Sequence, residues 1–123
     1  MKYRKKSRLL KSFGYAVKGI MLMFEERNFL IQFATAVAVV LMGLWLKLSA
    51  LEWFVTGFFI VLVLALEMIN SALENLADAV TEEKNEKIKR AKDMAAGAVL
   101  LAAVAAATAG VFIFFPKLWN LIF

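Results

Sequence analysis

The sequence predicts an all-α membrane protein in which an N-terminal amphipathic surface helix precedes three transmembrane helices, with the N-terminus in the cytoplasm. Of the 123 residues, 63% are hydrophobic, whereas a soluble domain is nearer half apolar. These residues fall in blocks long enough to cross a bilayer. Eight of the 15 Lys and Arg residues precede the first block, as the positive-inside rule describes for cytoplasmic segments. We expect one domain over residues 1–123.

The first element, residues 7–24, has the pattern of a helix lying in the membrane interface. Its apolar side carries Leu9, Leu10, Phe13, Val17, Ile20, Met21 and Phe24, and another side carries Arg8, Lys11, Tyr15 and Lys18. The spacing alone fits a plain anchor with solvated lysines equally well, so both interpretations stay open.

The predicted spans cover residues 29–48, 52–73 and 93–115. We expect the second span to begin near Glu52 and to continue as one helix past Asp78 into the cytoplasm. The third span is rich in Ala and Gly at its start, which favours close packing in a bundle, and we expect Pro116 to end it. Between them, residues 81–90 are expected to form a charged, solvated loop. Basic residues place the N-terminus and the segment 79–92 in the cytoplasm.

A stripe of polar side chains marks the end of the second span. Glu67, Asn70, Ser71, Glu74 and Asp78 lie at helical offsets 0, 3, 4, 7 and 11 and share one face. Over about 16 Å this stripe climbs from membrane depth toward water. An ionisable residue at such depth indicates a functional site, and burial would suit Glu67 to a role as general base. The alternatives are a structural hydrogen bond for Glu67 and a solvated face for Glu74 and Asp78.

The chain has no cysteine and no histidine, which excludes a thiol nucleophile, an imidazole base and a Cys/His zinc site. The remaining oxygen ligands suit magnesium. Further polar clusters are expected on the cytoplasmic side: Arg8, Lys11, Tyr15 and Lys18; Glu25 and Glu26; and Lys92 with Asp93. Carboxylates beside cations could bind a nucleotide without a Gly-rich loop. Lys92 and Asp93 could instead be an interface anchor. Nothing indicates a surface for nucleic acid.

Two segments carry a resemblance to a known family. Residues 67–78 (EMINSALENLAD) and 91–100 (AKDMAAGAVL) resemble the small prokaryotic diacylglycerol kinase family. The pattern of Arg8, Lys11, Gly14, Tyr15, Lys18 and Gly19 is similar to its amphipathic segment, and the similarity extends over essentially the whole chain. Residues 26–29 (ERNF), 48–49, 52–53 and 116–118 look more like the Gram-positive branch, whose members act mainly as undecaprenol kinases.

The resemblance implies a homotrimer in the bacterial plasma membrane that phosphorylates a lipid hydroxyl with MgATP at its cytoplasmic face. By position, Glu67 would be the general base and Asn70 would orient the reacting groups. Glu26 and Glu74 would hold magnesium. The positions implied for the nucleotide and its phosphates are Arg8, Lys11, Tyr15, Glu26, Glu74, Asp78, Lys92 and Asp93.

Two points depart from a simple match. On an unbroken surface helix Glu25, rather than Glu26, would align with Lys18, although the family pattern favours Glu26. Gln32 stands where the Gram-positive branch often has histidine. We expect undecaprenol as the preferred lipid and diacylglycerol, which would give phosphatidic acid, as a close second.

The rival hypothesis is a small proton- or cation-coupled transporter, in which a membrane carboxylate is equally expected. Such a transporter should also carry polar residues through the outer half of its spans, where this sequence has almost none. A purely structural membrane subunit is a more distant alternative.

Overall fold

Four α-helices and no strand make up the part of the chain that the structure describes. The computed structural model describes the backbone from residue 2 and the side chains from residue 7, in both cases through Phe123. The helices are α1 (Lys2–Met23), α2 (Arg27–Leu46), α3 (Ala50–Val80) and α4 (Glu86–Ile122). The predicted all-α class is confirmed, and α3 continues unbroken past Asp78, as expected.

Helix ends differ from the predictions at three places. The helix α1 begins at Lys2 rather than near residue 7. The helix α4 begins at Glu86, inside the expected loop 81–90, because the Asn85 side chain accepts hydrogen bonds from the backbone N–H groups of Lys87 and Ile88. The prediction that Pro116 ends the last helix is wrong, since α4 continues to Ile122. A proline removes one backbone donor, a loss that membrane helices tolerate.

The packing of the helices is dominated by α3 against α4, with smaller contacts from α2 to both. At one end of the α3–α4 pair, Lys92 Nζ lies 2.9 Å from Asp78 Oδ1, and at the other end Lys117 Nζ lies 3.1 Å from Glu52 Oε1. The two helices are therefore antiparallel. We call the Asp78 end the site end and the Glu52 end the distal end.

The distance between the two ion pairs suits a membrane. Glu52 and Asp78 are 26 residues apart on α3, which corresponds to about 39 Å of helix. A bilayer with its headgroup regions is about 40–45 Å thick. The helices α2, α3 and α4 are long and apolar enough to cross it. Both charged pairs would then lie near the membrane surfaces.

At the distal end, a tight turn sets α2 against α3. Lys47 adopts the left-handed conformation with φ 55°, and Ser49 and Glu52 form a reciprocal capping box at the start of α3. Gly43 allows the close approach of Trp53, because a Cβ atom at position 43 would lie 2.8 Å from the Trp53 ring. After this turn, α3 runs back along α2 toward the site end.

Candidate functional site

The deepest polar group of the site is the carboxylate of Glu67, which is only 6% exposed. The Gln32 side chain, on α2, donates a hydrogen bond from Nε2 to Glu67 Oε2 at 3.3 Å. The cross-helix hydrogen bond that the sequence offered as a structural alternative for Glu67 is therefore present. The partner is a residue that the sequence marked only as a departure from the family pattern. Helical periodicity and local motifs could not predict this contact, because the two residues are 35 positions apart in the sequence.

One turn further along α3, Asn70 and Ser71 are buried as well, with exposures of 9% and 6%. Asn70 donates from Nδ2 to Glu74 Oε1 at 3.3 Å. Its carbonyl oxygen, Oδ1, is buried and makes no hydrogen bond within the described part of the chain. Since a buried acceptor without a partner is costly, this amide is suited to accept a donor that a ligand brings.

The stripe ends at Asp78, which binds Lys92 of α4 at 2.9 Å. This hydrogen bond raises the pKa of the Lys92 ammonium, which lies before the apolar part of α4. The side chains of Lys92 and Asp78 remain 36% and 66% exposed. Asp93 lies 3.6 Å from Lys89, one turn earlier on α4. The site end thus carries two neighbouring pairs of opposite charge that a phosphate chain could contact.

Burial along the predicted stripe is graded. Glu67, Asn70 and Ser71 are buried, whereas Glu74 and Asp78 are exposed. The polar face of α3 therefore runs from the interior of the helix bundle to its open end. Such a face can meet one reactant from within the membrane and another from water.

Other predicted site residues are not brought to this stripe within one chain. Arg8, Lys11 and Tyr15 are exposed on α1, and α1 makes at most marginal contacts with the spans. Glu26 is exposed at the N-cap of α2. The alignment of Glu25 with Lys18 required an unbroken helix through Glu25, whereas α1 ends at Met23. The geometric argument for Glu25 therefore does not apply.

The donor set fits a hard cation that arrives together with a nucleotide. In residues 7–123 no group of three or more carboxylates lies close enough to hold a metal ion alone. Mg²⁺ commonly binds through one or two carboxylates plus substrate phosphates. Glu74, beside the unpartnered Oδ1 of Asn70, offers oxygen ligands of this kind.

An apolar cavity of about 350 Å³ adjoins the deep end of the stripe. Its walls come from α2, α3 and α4 and are formed largely by alanine, valine, isoleucine and phenylalanine. Gln32 is one of its few polar lining residues, and the same side chain binds Glu67. The cavity therefore extends to the side chain that contacts the buried carboxylate.

The sequence of the chain is similar to those of known proteins. The family model described as prokaryotic diacylglycerol kinase matches residues 14–114. The chain is 40% identical over 113 residues to the undecaprenol kinase of Bacillus subtilis (strain 168), covering 91% of this chain and 92% of that relative. It is 44% identical over 115 residues to a diacylglycerol kinase of Synechocystis, covering 92% of this chain and 66% of the relative. Identity to the diacylglycerol kinase of Escherichia coli (strain K12) is 32% over 101 residues, covering 81% and 83%.

Proposed function

Since the chain belongs to the prokaryotic diacylglycerol kinase family and is a membrane lipid kinase, we propose that it transfers the γ-phosphate of MgATP to the hydroxyl of undecaprenol. Diacylglycerol is the second lipid substrate in this proposal. The active site lies at the cytoplasmic face of the bacterial plasma membrane. The observation that carries the proposal is the graded burial of the α3 stripe, from Glu67 inside the bundle to Asp78 at its open end. A lipid alcohol and a water-soluble nucleotide can meet along it.

In the proposed reaction Glu67 accepts the proton of the lipid hydroxyl while the hydroxyl oxygen attacks the γ-phosphorus. The bond between the γ-phosphorus and the bridging oxygen breaks, and ADP leaves with that oxygen. Asn70 orients the reacting groups, and its free Oδ1 supports this role. Phosphoryl transfer depends mainly on such positioning and on charge stabilisation.

Charged residues at the site end hold the nucleotide and its phosphates. In the proposal Asp78, Lys92 and Asp93 do so from α3 and α4, with Arg8, Lys11 and Tyr15 contributing from α1. Glu26 and Glu74 hold the Mg²⁺ ion. When bound, that ion neutralises charge on the phosphate oxygens. The hydrogen bond between Asn70 and Glu74 supports a link between the metal ligands and the orienting amide.

The family assignment does not favour the transporter alternative. The placement of the polar groups also argues against a transporter. The distal ion pair, Glu52 with Lys117, satisfies its own charges, while the stripe is confined to the site end. A transport path would require polar groups along the whole bundle.

Lipid choice is the finer part of the proposal. The relative from B. subtilis is named undecaprenol kinase and covers nearly the full chain, whereas the relatives from Synechocystis and E. coli are named diacylglycerol kinases. The apolar cavity beside Gln32 supports a tail lying in the bundle with its hydroxyl near Glu67. Such a site contacts the headgroup closely and the tail loosely, so both lipids should react.

The test is an ATP-dependent phosphorylation assay on the purified protein, with undecaprenol and diacylglycerol offered in parallel. We expect a higher kcat/KM for undecaprenol and measurable transfer to diacylglycerol. A strong preference for diacylglycerol would overturn the lipid choice and leave the kinase assignment standing.

We also propose that the working unit is a homotrimer whose sites are completed by neighbouring chains. In one chain, the α1 residues assigned to the nucleotide lie exposed and apart from the stripe. In addition, the three transmembrane helices of one chain are too few to enclose both a nucleotide and a lipid. Residues from a second chain would complete the site.

A further inference from the structure

We propose that Gln32 is a positioning residue of this lipid kinase, whose side-chain amide holds the Glu67 carboxylate for the transfer step. The inference rests on the proposed role of Glu67 as general base. Gln32 would fix one carboxylate oxygen, Oε2, and leave the other, Oε1, to accept the proton of the lipid hydroxyl.

The geometry of the two side chains supports this role. Gln32 Nε2 lies 3.3 Å from Glu67 Oε2, and Glu67 is buried on α3. A buried carboxylate needs hydrogen-bond donors to remain ionised. Within the described part of the chain, Gln32 is the residue that donates to this carboxylate. The other oxygen, Oε1, makes no hydrogen bond to the described residues.

The orientation of the amide is determined by the chemistry of its partner. An ionised carboxylate accepts hydrogen bonds and cannot donate them, so the amide must turn its NH₂ group toward Glu67. This orientation leaves Gln32 Oε1 buried with no hydrogen-bond partner among residues 7–123, which costs free energy. The amide thus gains a hydrogen bond to Glu67 at Nε2 and forgoes one at its own carbonyl oxygen. Selection for stability alone would favour an apolar side chain at this place in the bundle.

An amide donor also suits a general base, because it favours the ionised carboxylate and does not titrate itself. Other charged groups, on α3 itself and on the neighbouring elements, lie closer to the site end. They are Glu74 on α3, Glu25 and Glu26 before α2, and Lys92 and Asp93 on α4, and no hydrogen bond joins any of them to Glu67 in the described residues. Removal of the Gln32 donor would therefore leave the Glu67 carboxylate without a hydrogen-bond donor among the described residues.

The test compares Gln32→Met with the wild-type protein at neutral pH, with kcat and the KM for ATP measured on undecaprenol. Methionine keeps the length of the side chain and removes both polar groups. We expect kcat to fall about 10- to 100-fold at neutral pH, as for other supporting hydrogen bonds. The KM for ATP should stay within about twofold, because Gln32 lies apart from the nucleotide residues.

Two further variants separate positioning from packing. Gln32→His retains an N–H donor of similar reach and should recover most of kcat at a pH where imidazole is neutral. Thr108→Val removes a polar group from α4 that bonds only its own helix, through the Val104 carbonyl, and should leave kcat unchanged. If Gln32→Met does not fold, the histidine variant decides, since a folded but inactive Gln32→His would refute the donor role.

Glu67→Gln distinguishes failure of this inference from failure of the proposed base. Near-normal turnover of Glu67→Gln would remove the base role and this inference together. An inactive Glu67→Gln together with an unchanged kcat in Gln32→Met would overturn the inference alone. A loss of kcat in Gln32→Met that the histidine variant does not recover would make Gln32 a packing residue.

Discussion

Lys92, which forms an ion pair with Asp78 at the site end, could stabilise the fold or bind the nucleotide. A substitution of Lys92 can separate these two roles. The two side chains are 36% and 66% exposed, so the pair is a surface salt bridge, a type that contributes little to stability. Lys92→Met keeps the apolar stem and removes the charge. We therefore expect the variant to fold, with a Tm within about 3 °C of the wild-type value.

The expected effect on the nucleotide is much larger. If Lys92 donates to a phosphate oxygen in the working site, it makes a charge-assisted hydrogen bond. The loss of such a bond weakens binding by about 10- to 150-fold. We expect kcat/KM for ATP to fall by this factor, with the KM for the lipid little changed, because Lys92 lies at the open end of the stripe.

The assay is steady-state release of ADP in lipid–detergent micelles at varied ATP, with thermal unfolding of the same samples. Lys87→Met is the matched control, since Lys87 is an exposed lysine in the first turn of the same helix. It should leave both readouts unchanged. A large decrease in Tm for Lys92→Met together with an unaltered KM for ATP would refute the reasoning. Lys92 would then be an interface anchor, the alternative that the sequence left open.

Three further predictions concern the same site. Glu67→Gln should fold and lower turnover by about 10²- to 10⁴-fold, and near-normal turnover would contradict the base role. Activity should depend on Mg²⁺, and Glu74→Ala and Glu26→Ala should raise the Mg²⁺ concentration needed for half-maximal rate. A harmful Glu25→Ala beside a harmless Glu26→Ala would shift the metal ligand by one residue. Mixing Glu67→Gln chains with Asp93→Asn chains should restore part of the activity if sites are shared, and no recovery despite proven mixing would indicate sites built within one chain.

Much of the site end could be predicted from the sequence because helical periodicity is a local property. The positions of Glu67, Asn70, Ser71, Glu74 and Asp78 on one stripe follow from about 100° per residue, and the structure retains that order, with burial decreasing toward Asp78. The roles of these residues in binding and catalysis stay predictions. Sequence periodicity can order side chains along a helix, but it cannot supply their partners.

The ends of the helices were less predictable, because they depend on single hydrogen bonds. Pro116 predicts a helix end because proline lacks a backbone N–H group, yet α4 continues to Ile122. The start of α4 at Glu86 follows from the capping of two backbone donors by Asn85, a contact that the charged composition of the segment obscured. A cap of this kind can extend a helix into a stretch that otherwise resembles a loop.

The sequence by itself determined the all-α class, the three apolar segments and the polar stripe, since each is a pattern within one segment. Only the tertiary structure decided that Gln32 contacts Glu67, that Asp78 pairs with Lys92 and that Lys117 pairs with Glu52. These contacts join residues on different helices. They depend on the turn at Gly43 and Trp53 and on the antiparallel packing of α3 with α4. Periodicity orients a side chain about its own helix axis, whereas the approach of two helices follows from packing along their whole length.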